Sequence, residues 1–308
     1  MALSKKVIVS MTTIPVRKKR LIECLPSIRR QSFPFDKLVI NVDDNLSEED
    51  YKFYDSLVEQ DGRIMINKSD GKWRSCNKLL PTIKLFPEDI IITVDDDIYY
   101  PVNCFKYLME QYEKTPECII AHEVQPITVN KGFISYKNGM DIKLHQVEWG
   151  KYMSNCCLFP PHVFDNTDLF DYDKMMACTN GTHDELWFWV NSTLNKTQCV
   201  GLNYIWSFVG DNPIPWEEGE YKLADINNEN ASIDDYMKVI NDIYGTQLIE
   251  AIKSKSIIFT LNKDNVHQFI LQLNRISELY NYGFKVHFDD LTNSWKAFVT
   301  REFKKIYN

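Results

Sequence analysis

Residues 90–101 read Ile-Ile-Ile-Thr-Val-Asp-Asp-Asp-Ile-Tyr-Tyr-Pro, an apolar run that leads directly into three consecutive carboxylates. The length and β-branched content of Ile90–Val94 predict a strand buried on both faces of a sheet. Open α/β sheets bind ligands at the carboxyl ends of their strands, which is where Asp95, Asp96 and Asp97 stand. Adjacent carboxylates repel one another unless a positive group lies among them, and hard divalent cations take oxygen ligands. The stretch therefore predicts a metal site, with a solvated acidic turn as the alternative.

The composition is that of a packed globular protein. The 308 residues are 44% hydrophobic and 13% aromatic, which suits about two domains. The net charge of −8 argues against nucleic-acid binding, which needs positive charge to displace counterions. The eight scattered cysteines favour a reducing compartment, and no apolar run approaches the ~20 residues that span a bilayer. We therefore expect a cytoplasmic protein without a nucleic-acid partner.

Short apolar runs alternate with helical patterns over the first part of the chain. Predicted strands cover 7–11, 38–42, 63–66, 90–94 and 118–123, and predicted helices cover 18–31, 47–60, 76–85 and 103–114. Ser47 with Asp50 three residues later resembles a capping box at the start of the second helix. Strand and helix in turn predict an α/β fold with a doubly wound, mostly parallel sheet.

From about residue 125 to 180, prolines and glycines interrupt the pattern repeatedly. Long irregular stretches of this kind are often binding loops. A helical pattern over 183–193 and an extended pattern over 200–208 follow. We therefore expect residues 1–210 to form one domain that includes these loops.

The remaining sequence differs in charge. Residues 211–251 are predicted to be an acidic loop or linker, and residues 252–308 carry nine Lys/Arg against five Asp/Glu. The patterns in this basic tail predict a small β-α-β-α appendage. Its predicted strands cover 257–261 and 284–288, with one helix around 266–280 and a final helix from Thr292.

Side-chain alternation gives the acidic triplet a geometry. Along a strand end, Asp95 and Asp97 point to one side and Asp96 to the other. Asp95 and Asp97 therefore offer two carboxylates to one cation, an arrangement suited to Mg²⁺ or Mn²⁺ bridging two phosphates. A diphosphate bridged in this way is a good leaving group, because the metal neutralises its developing charge.

The first predicted strand is followed by Thr12, Thr13, Pro15 and Arg17. Two hydroxyls, a chain-turning proline and a cation at the carboxyl end of a parallel strand suit a nucleotide pocket. A plain strand-to-helix turn is the alternative from the residues alone.

Further candidates follow the second and third predicted strands. Asp43 ends the second strand and could accept hydrogen bonds from a base edge. Lys72, Arg74 and Lys78 lie between Gly71 and the next helix, where they could reach phosphates. Taken singly, these cations are expected to face solvent.

Six segments together resemble bacterial glycosyltransferases of the GT-A fold, in particular the family-2-like enzymes of capsule and lipopolysaccharide synthesis. The segments are Ser10–Pro15, Leu25–Ile28 with Gln31, Asn77–Pro81, Ile92–Pro101, Cys157–Pro161 and Thr182–Phe188. The resemblance covers about residues 7 to 210. His183 and Glu185 depart from the family's usual Ala-Asp-Asp segment, in which a small residue and a second Asp stand.

The resemblance implies a nucleotide-sugar donor such as a UDP-sugar, a saccharide or lipid-linked oligosaccharide acceptor, inversion, and Mn²⁺ or Mg²⁺ as cofactor. Asp97 is then the chief metal ligand, and Asp95 shares the metal or holds the ribose. Asp184 becomes the base that deprotonates the acceptor hydroxyl, with Glu185 as the second candidate. The implied nucleotide pocket comprises Thr12, Thr13, Pro15, Arg17, Asp43, Lys78, Asp95 and Asp96.

Two further features leave alternatives open. His183 is either a third metal ligand or an ordinary polar contact. In the tail, the aromatic residues Trp295 and Phe298 interleave with Lys296 and Arg301. A basic aromatic helix here predicts peripheral contact with the inner face of the cytoplasmic membrane, or else packs on its own domain.

Two rival functions deserve comparison. Sugar nucleotidyl transfer uses similar carboxylates but usually needs a Gly-rich phosphate loop, and residues 12–18 contain no glycine. A degenerate glycosyltransferase-like domain that only binds saccharide would not need the acidic triplet or the pair formed by Asp184 and Glu185.

Overall fold

The computed structural model describes residues 5–130, 132–136, 147–202, 214, 232–254, 258–261, 283–289 and 294–300. Internal contacts divide the chain into two units, Met1–Ala251 and Ile252–Asn308. The boundary between the units falls where the sequence changes from acidic to basic. No helix in the described ranges combines the length and the hydropathy needed to cross a bilayer.

The first unit alternates strands and helices through its first half. In chain order its first elements are β1 (Val7–Thr12), α1 (Lys18–Arg29), β2 (Lys37–Asp43), α2 (Glu48–Gln60), β3 (Ile64–Ser69), α3 (Leu80–Leu85), β4 (Ile90–Val94), α4 (Cys104–Tyr112) and β5 (Ile119–Ala121). Two 3₁₀ segments, Pro15–Arg17 and Gly71–Lys78, follow β1 and β3. Each predicted strand of this half is present, as is the predicted cap of α2, where the Ser47 hydroxyl accepts from the Asp50 backbone N–H.

Shorter strands and three helices complete the first unit. They are β6 (Val124–Asn130), β7 (Phe133–Tyr136), β8 (Val147–Glu148), β9 (Gly150–Tyr152), β10 (Cys156–Phe159), α5 (Tyr172–Thr179), α6 (Asp184–Leu194), β11 (Cys199–Gly201) and α7 (Ile233–Ser254). The extended segment predicted over 200–208 lies outside the described residues beyond 202.

The main sheet is mixed, with a parallel half and an antiparallel insertion. Its strand order is β3-β2-β1-β4-β10-β5-β11-β8. β1 pairs in parallel with both β2 and β4, β2 pairs in parallel with β3, and β10 runs antiparallel between β4 and β5. All five residues of β4 are buried, as its apolar sequence predicts. The expectation of a mostly parallel α/β sheet is therefore confirmed.

One predicted helix of the first unit is divided in the structure. The helix predicted over 76–85 is divided at Leu79, where φ is −125°, into the 3₁₀ segment and α3. Asp70 caps the 3₁₀ segment by accepting from the Lys72 backbone N–H, and Pro81 suits the first turn of α3 because it lacks an N–H.

The acidic stretch predicted as a loop or linker over 211–251 is helical from Ile233 onward, so that interpretation is wrong for α7. Tyr236, Ile240, Tyr244 and Leu248 are buried at helical spacing and form one apolar face. Acidic residues at the start of α7 are typical of a helix N-terminus and are not a sign of a loop.

In the second unit the described residues form an antiparallel sheet in the order β12-β14-β13. These strands are β12 (Ile258–Leu261), β13 (Gly283–Asp289) and β14 (Ser294–Thr300). The helix predicted around 266–280 lies outside the described residues. The final helix predicted from Thr292 is wrong over residues 294–300, because β14 pairs with both β12 and β13. Four of the seven residues of β14 are aromatic or β-branched, types that are common in strands, namely Trp295, Phe298, Val299 and Thr300. The membrane contact predicted through that helix loses its basis.

Candidate active site

The carboxyl ends of β1 and β4 meet where the strand order reverses. From β1, the strands β2 and β3 follow on one side of the sheet, whereas β4 lies on the other. Ligands of open α/β sheets bind in the crevice at such a point. Thr13, just after β1, donates from its hydroxyl to Asp96 Oδ2 at 2.6 Å and joins the two strand ends. The acidic triplet therefore lies at the ligand-binding edge of the sheet.

The three carboxylates face different surroundings. The side chain of Asp96 is 1% exposed, whereas those of Asp95 and Asp97 are 27% and 22% exposed. Arg17 lies 2.7 Å from Asp96 Oδ1 and 2.5 Å from Asp97 Oδ2 through its two terminal nitrogens. Asp95 and Asp97 are half-exposed, whereas Asp96 is buried and contacts Thr13 and Arg17.

Tyr100 fixes the backbone of the triplet. Its hydroxyl accepts from the backbone N–H of Asp95 at 2.7 Å and donates to the carbonyl of Asn155 at 2.6 Å. The Tyr100 side chain is fully buried, so the turn after β4 is tied to the residue that precedes β10. The antiparallel strand thereby holds Asp95 in place.

Lys78 connects the triplet to a second carboxylate cluster. Its buried amine lies 2.6 Å from Asp95 Oδ1, 3.2 Å from Asp184 Oδ2 and 3.4 Å from Ser154 Oγ. Burial alone lowers the pKa of Lys78, but Asp184 and Asp95 outweigh that effect and raise it above its ordinary value. The amine is therefore a charged link between two separate parts of the sequence.

The second cluster is the pair of carboxylates that begins α6. Asp184 is buried and accepts from the Ser154 hydroxyl at 2.5 Å, and its pKa is raised by burial although Lys78 opposes the shift. Burial also raises the pKa of Glu185, but a hydrogen bond from His183 and the charge of Lys151 lower it to about 2. A carboxylate with a raised pKa is the stronger base, so the environment favours Asp184 over Glu185 for proton abstraction.

Negative charge in the triplet is only partly offset. Burial raises the pKa of Asp96 to about 6 against the opposing charge of Arg17. Burial and then the charge of Asp95 raise the pKa of Asp97. The half-exposed oxygens of Asp95 and Asp97 are donors of the type that hard divalent cations prefer, and their mutual repulsion favours such a cation. These residues therefore fit the Mn²⁺ or Mg²⁺ predicted from the sequence.

The other predicted pocket residues lie at neighbouring strand ends. The Thr12 hydroxyl donates to the carbonyl of Asn41 at 3.1 Å, and Pro15 begins the 3₁₀ segment that carries Arg17. Asp43 ends β2 and lies against Gly71 so closely that a Cβ on this glycine would come within 2.0 Å of Asp43 Oδ2. These residues lie at or next to the carboxyl ends of β1 and β2.

Lys72 and Arg74 make contacts at the other end of the 3₁₀ segment. The Lys72 amine pairs with Asp70 at 2.8 Å and lies 5.4 Å from the ring centre of Tyr172. Arg74, with φ at +51°, donates to the carbonyl of Asn180 at 2.7 Å. Of the three predicted cations, Lys78 is the one whose contacts join the carboxylate clusters.

His183 contacts Glu185 and Tyr236. Its Nδ1 lies 3.4 Å from Glu185 Oε1, and its ring centre lies 5.2 Å from that of Tyr236. Trp187, Phe188 and Trp189, on the same helix as Glu185, are fully buried and belong to the core.

Sequence reasoning missed three residues that shape the site, namely Ser154, Lys151 and Tyr100. Ser154 and Lys151 fall in the irregular stretch before β10, where no periodicity identified them. Tyr100 was visible five residues after Asp95, but its hydroxyl contacts depend on β10 being adjacent to β4. An antiparallel strand that returns from a long insertion leaves no local signal of its neighbour.

Comparison with solved structures finds low sequence identity at broad coverage. S. aureus TarS 1–349 is 12% identical with a TM-score of 0.44, over 80% of this chain and 81% of that one. The same fragment in complex with UDP gives 12% and 0.43, over 86% and 78%. A 4-diphosphocytidyl-2C-methyl-D-erythritol synthase gives 17% and 0.31, over 52% and 75%. Comparison with curated protein sequences finds no match.

A family model identifies the chain directly. The model described as Glycosyl transferase family 2 matches residues 11–168, which is more than half of the sequence. The matched region contains the last two residues of β1, all of β2 to β10, the triplet, Arg17 and Lys78, and it ends before Asp184. The mixed α/β sheet, parallel from β3 to β4, is the GT-A fold that the sequence resemblance predicted. This chain therefore belongs to glycosyl transferase family 2 and is a glycosyltransferase.

Proposed function

We propose that this enzyme transfers a sugar from a nucleotide diphosphate to a saccharide hydroxyl, with inversion at the anomeric carbon. The observation that carries the proposal is the contact of the Lys78 amine with both Asp95 and Asp184. It brings the end of β4 next to a buried carboxylate from α6. A donor diphosphate at the first and an acceptor hydroxyl at the second would be adjacent.

On the donor side, the nucleotide occupies the crevice formed by the ends of β1, β2 and β4. Thr12, Thr13, Pro15 and Asp43 line it, and Arg17 supplies positive charge next to Asp97. Asp95 and Asp97 would hold Mn²⁺ or Mg²⁺, which would neutralise the diphosphate as it leaves. The family resemblance favours UDP as the nucleotide.

On the acceptor side, Asp184 acts as the base. Its carboxylate accepts the proton of the acceptor hydroxyl, and the hydroxyl oxygen bonds to the anomeric carbon as the bond from that carbon to the diphosphate oxygen breaks. The hydrogen bond from Ser154 orients the carboxylate, and Lys78 keeps it ionised. A single displacement of this kind inverts the anomeric centre. The resemblance suggests a saccharide or lipid-linked oligosaccharide acceptor of bacterial surface polysaccharide synthesis.

The test is nucleotide release from a panel of nucleotide sugars, with UDP-sugars first, in the presence of Mn²⁺ or Mg²⁺ and of an added chelator. We expect release with at least one donor, faster with an acceptor saccharide and suppressed by the chelator. Release that is unchanged by the chelator would contradict the metal requirement. A product with retained anomeric configuration would contradict the single displacement.

A further inference from the structure

We infer that Cys104, His122 and Cys156 form a second metal site, selective for a thiophilic divalent cation such as Zn²⁺ and separate from the carboxylates of the active site. The three side chains come from different parts of the first unit. Cys104 is the first residue of α4, His122 follows β5, and Cys156 begins β10. Each offers one ligand atom, and the three ligand atoms lie within 4.8 Å of one another.

The spacing suits a zinc ion. Zn–S and Zn–N bonds of about 2.3 and 2.0 Å in tetrahedral geometry separate neighbouring ligand atoms by roughly 3.5–3.8 Å. A ring nitrogen of His122 already lies 3.1 Å from Cys156 Sγ, so small side-chain rotations would bring the atoms to that spacing. Two thiolates and an imidazole supply three of the four usual ligands, and sites with three protein ligands take water as the fourth.

Burial and charge narrow the choice of ion. All three residues are almost fully buried. A divalent cation with two thiolates has no net charge, which is the condition under which ions can be held in an apolar interior. A hard ion such as Mg²⁺ prefers oxygen ligands, whereas thiolate and imidazole suit Zn²⁺.

The ligand groups have features that metal binding would use. His122 Nε2 is the ring nitrogen that lies 3.1 Å from Cys156 Sγ, so Nε2 is the atom that would bind the metal. The other ring nitrogen, Nδ1, is buried and has no hydrogen-bond partner among the described residues. Cys104 begins a nine-residue helix, and a helix N-terminus stabilises a negative sulfur.

The position of the site suggests what it does. Cys156 is next to Asn155, whose carbonyl accepts from the Tyr100 hydroxyl that also binds the Asp95 backbone. A metal that joined α4, β10 and the segment after β5 would brace the strand that holds the triplet. The site would therefore act on stability and on the position of Asp95, and would not take part in the reaction.

The test uses the full-length, reduced protein titrated with Co²⁺ as a spectroscopic substitute for Zn²⁺. We expect one equivalent to produce a thiolate-to-cobalt charge-transfer band that Zn²⁺ removes. Co²⁺ at the carboxylates of the active site produces no such band. Cys157→Ser is the matched control, because Cys157 is equally buried on the same strand but outside the cluster. It should keep the band, whereas Cys156→Ser and His122→Gln should weaken Co²⁺ binding by more than the roughly 10–100-fold loss that follows removal of a hydrogen-bond partner of a metal ligand.

A second measurement does not depend on the folding of any variant. X-ray absorption by the zinc-loaded wild-type protein should show two sulfur ligands and at least one imidazole nitrogen. An oxygen-only shell, an absent charge-transfer band, or a band that forms in Cys156→Ser at the same Co²⁺ concentration and with the same intensity as in the wild-type protein would each overturn the inference. A disulfide between Cys104 and Cys156 in protein handled without oxidant would overturn it as well.

Discussion

The two carboxylate clusters of the active site are built in opposite ways. The triplet after β4 has two half-exposed carboxylates around a buried one, and Arg17 and Lys78 offset its charge only in part. The pair at the start of α6 has a buried member held by Ser154 and Lys78, and a second member paired with His183 and Lys151. The first cluster keeps uncompensated negative charge that a bound cation would neutralise. In the second cluster each carboxylate already pairs with positively charged or hydrogen-bonding side chains.

Because of this difference, carboxylates that are adjacent in the sequence have different pKa values and different exposure to solvent. Asp184 and Glu185 are neighbours, yet burial raises the pKa of the first, and His183 and Lys151 lower that of the second to about 2. Asp96 and Asp97 are neighbours, yet one is closed to solvent and the other is open. Role follows from the partners that the fold supplies to each carboxylate.

The largest expected effect is that of Asp97→Ala. It removes one of the two half-exposed carboxylates of the triplet, and we expect turnover to fall by roughly 10³-fold or more while the fold is retained. Nucleotide release measures the activity, and calorimetry with nucleotide and Mn²⁺ measures the metal dependence. Asp55→Ala, an exposed aspartate on α2, is the control and should behave as wild type. Unchanged metal-dependent nucleotide binding by Asp97→Ala would show that the metal assignment is wrong.

Asp184→Asn should follow, with turnover lower by about 10²–10⁴-fold, the usual contribution of a general base. Donor binding should persist, because the substitution leaves the triplet and β1 intact. Glu185→Gln is the matched comparison one residue along α6. Its turnover should fall by about tenfold or less, at least ten times less than the loss expected when a general base is removed. If Glu185→Gln lost more activity than Asp184→Asn, the two roles would have to be exchanged.

Ser154→Ala tests how the partners of Asp184 set its basicity. The Ser154 hydrogen bond lowers the pKa of Asp184, so its loss should raise that pKa. Since the base must be ionised, the acidic limb of the kcat/KM profile should move to higher pH, with a loss of about tenfold near the wild-type limb. The profile of Ser56→Ala, whose hydroxyl bonds only within α2, should not move. A fall in rate without movement of the limb would show that Ser154 positions the carboxylate without tuning it.

Asp96→Asn should have the smallest effect on activity, and its main effect should be on how stability depends on pH. The folded-state pKa of Asp96 is about 6 and its ordinary value is 3.8, so between these values the folded state holds more protons than the unfolded state. Stability contributed by the protonated form is therefore lost as pH rises through this window. The free energy of unfolding of Asp96→Asn, relative to wild type, should increase by on the order of 2–3 kcal/mol between pH 4 and 7. Denaturant unfolding at several pH values measures it, and a difference that does not vary with pH would contradict the expectation.

The sequence predicts the parallel half of the molecule well because local pattern and tertiary position agree there. Ile90–Val94 is apolar throughout and is buried on both faces of the sheet. Thr13, Asp43 and Asp97 all follow strands, and parallel strands bring such positions to one edge. The burial of the triplet agrees with the alternation predicted for it, since Asp96 is buried and its two neighbours are half-exposed.

The remaining features depend on contacts between distant segments. Ser154 reaches Asp184 because β10 returns antiparallel beside β4, a pairing that no local pattern identifies. The acidic start of α7 resembled a linker in the sequence. The apolar face of this helix became apparent only from the packing of its buried residues. In β14 the aromatic and basic residues fit a helix as readily as a strand until the pairing with β12 and β13 decides.

The contact between Gly71 and Asp43 limits how the family's sequences can diverge at this site. Any side chain at position 71 would collide with Asp43, and the 3₁₀ segment that begins there ends at Lys78. A larger residue at position 71 would need a smaller residue at position 43 if the Lys78 amine is to keep its position. Among related sequences, positions 43 and 71 should therefore change together. A survey of paired substitutions at these positions would test the contact without a structure.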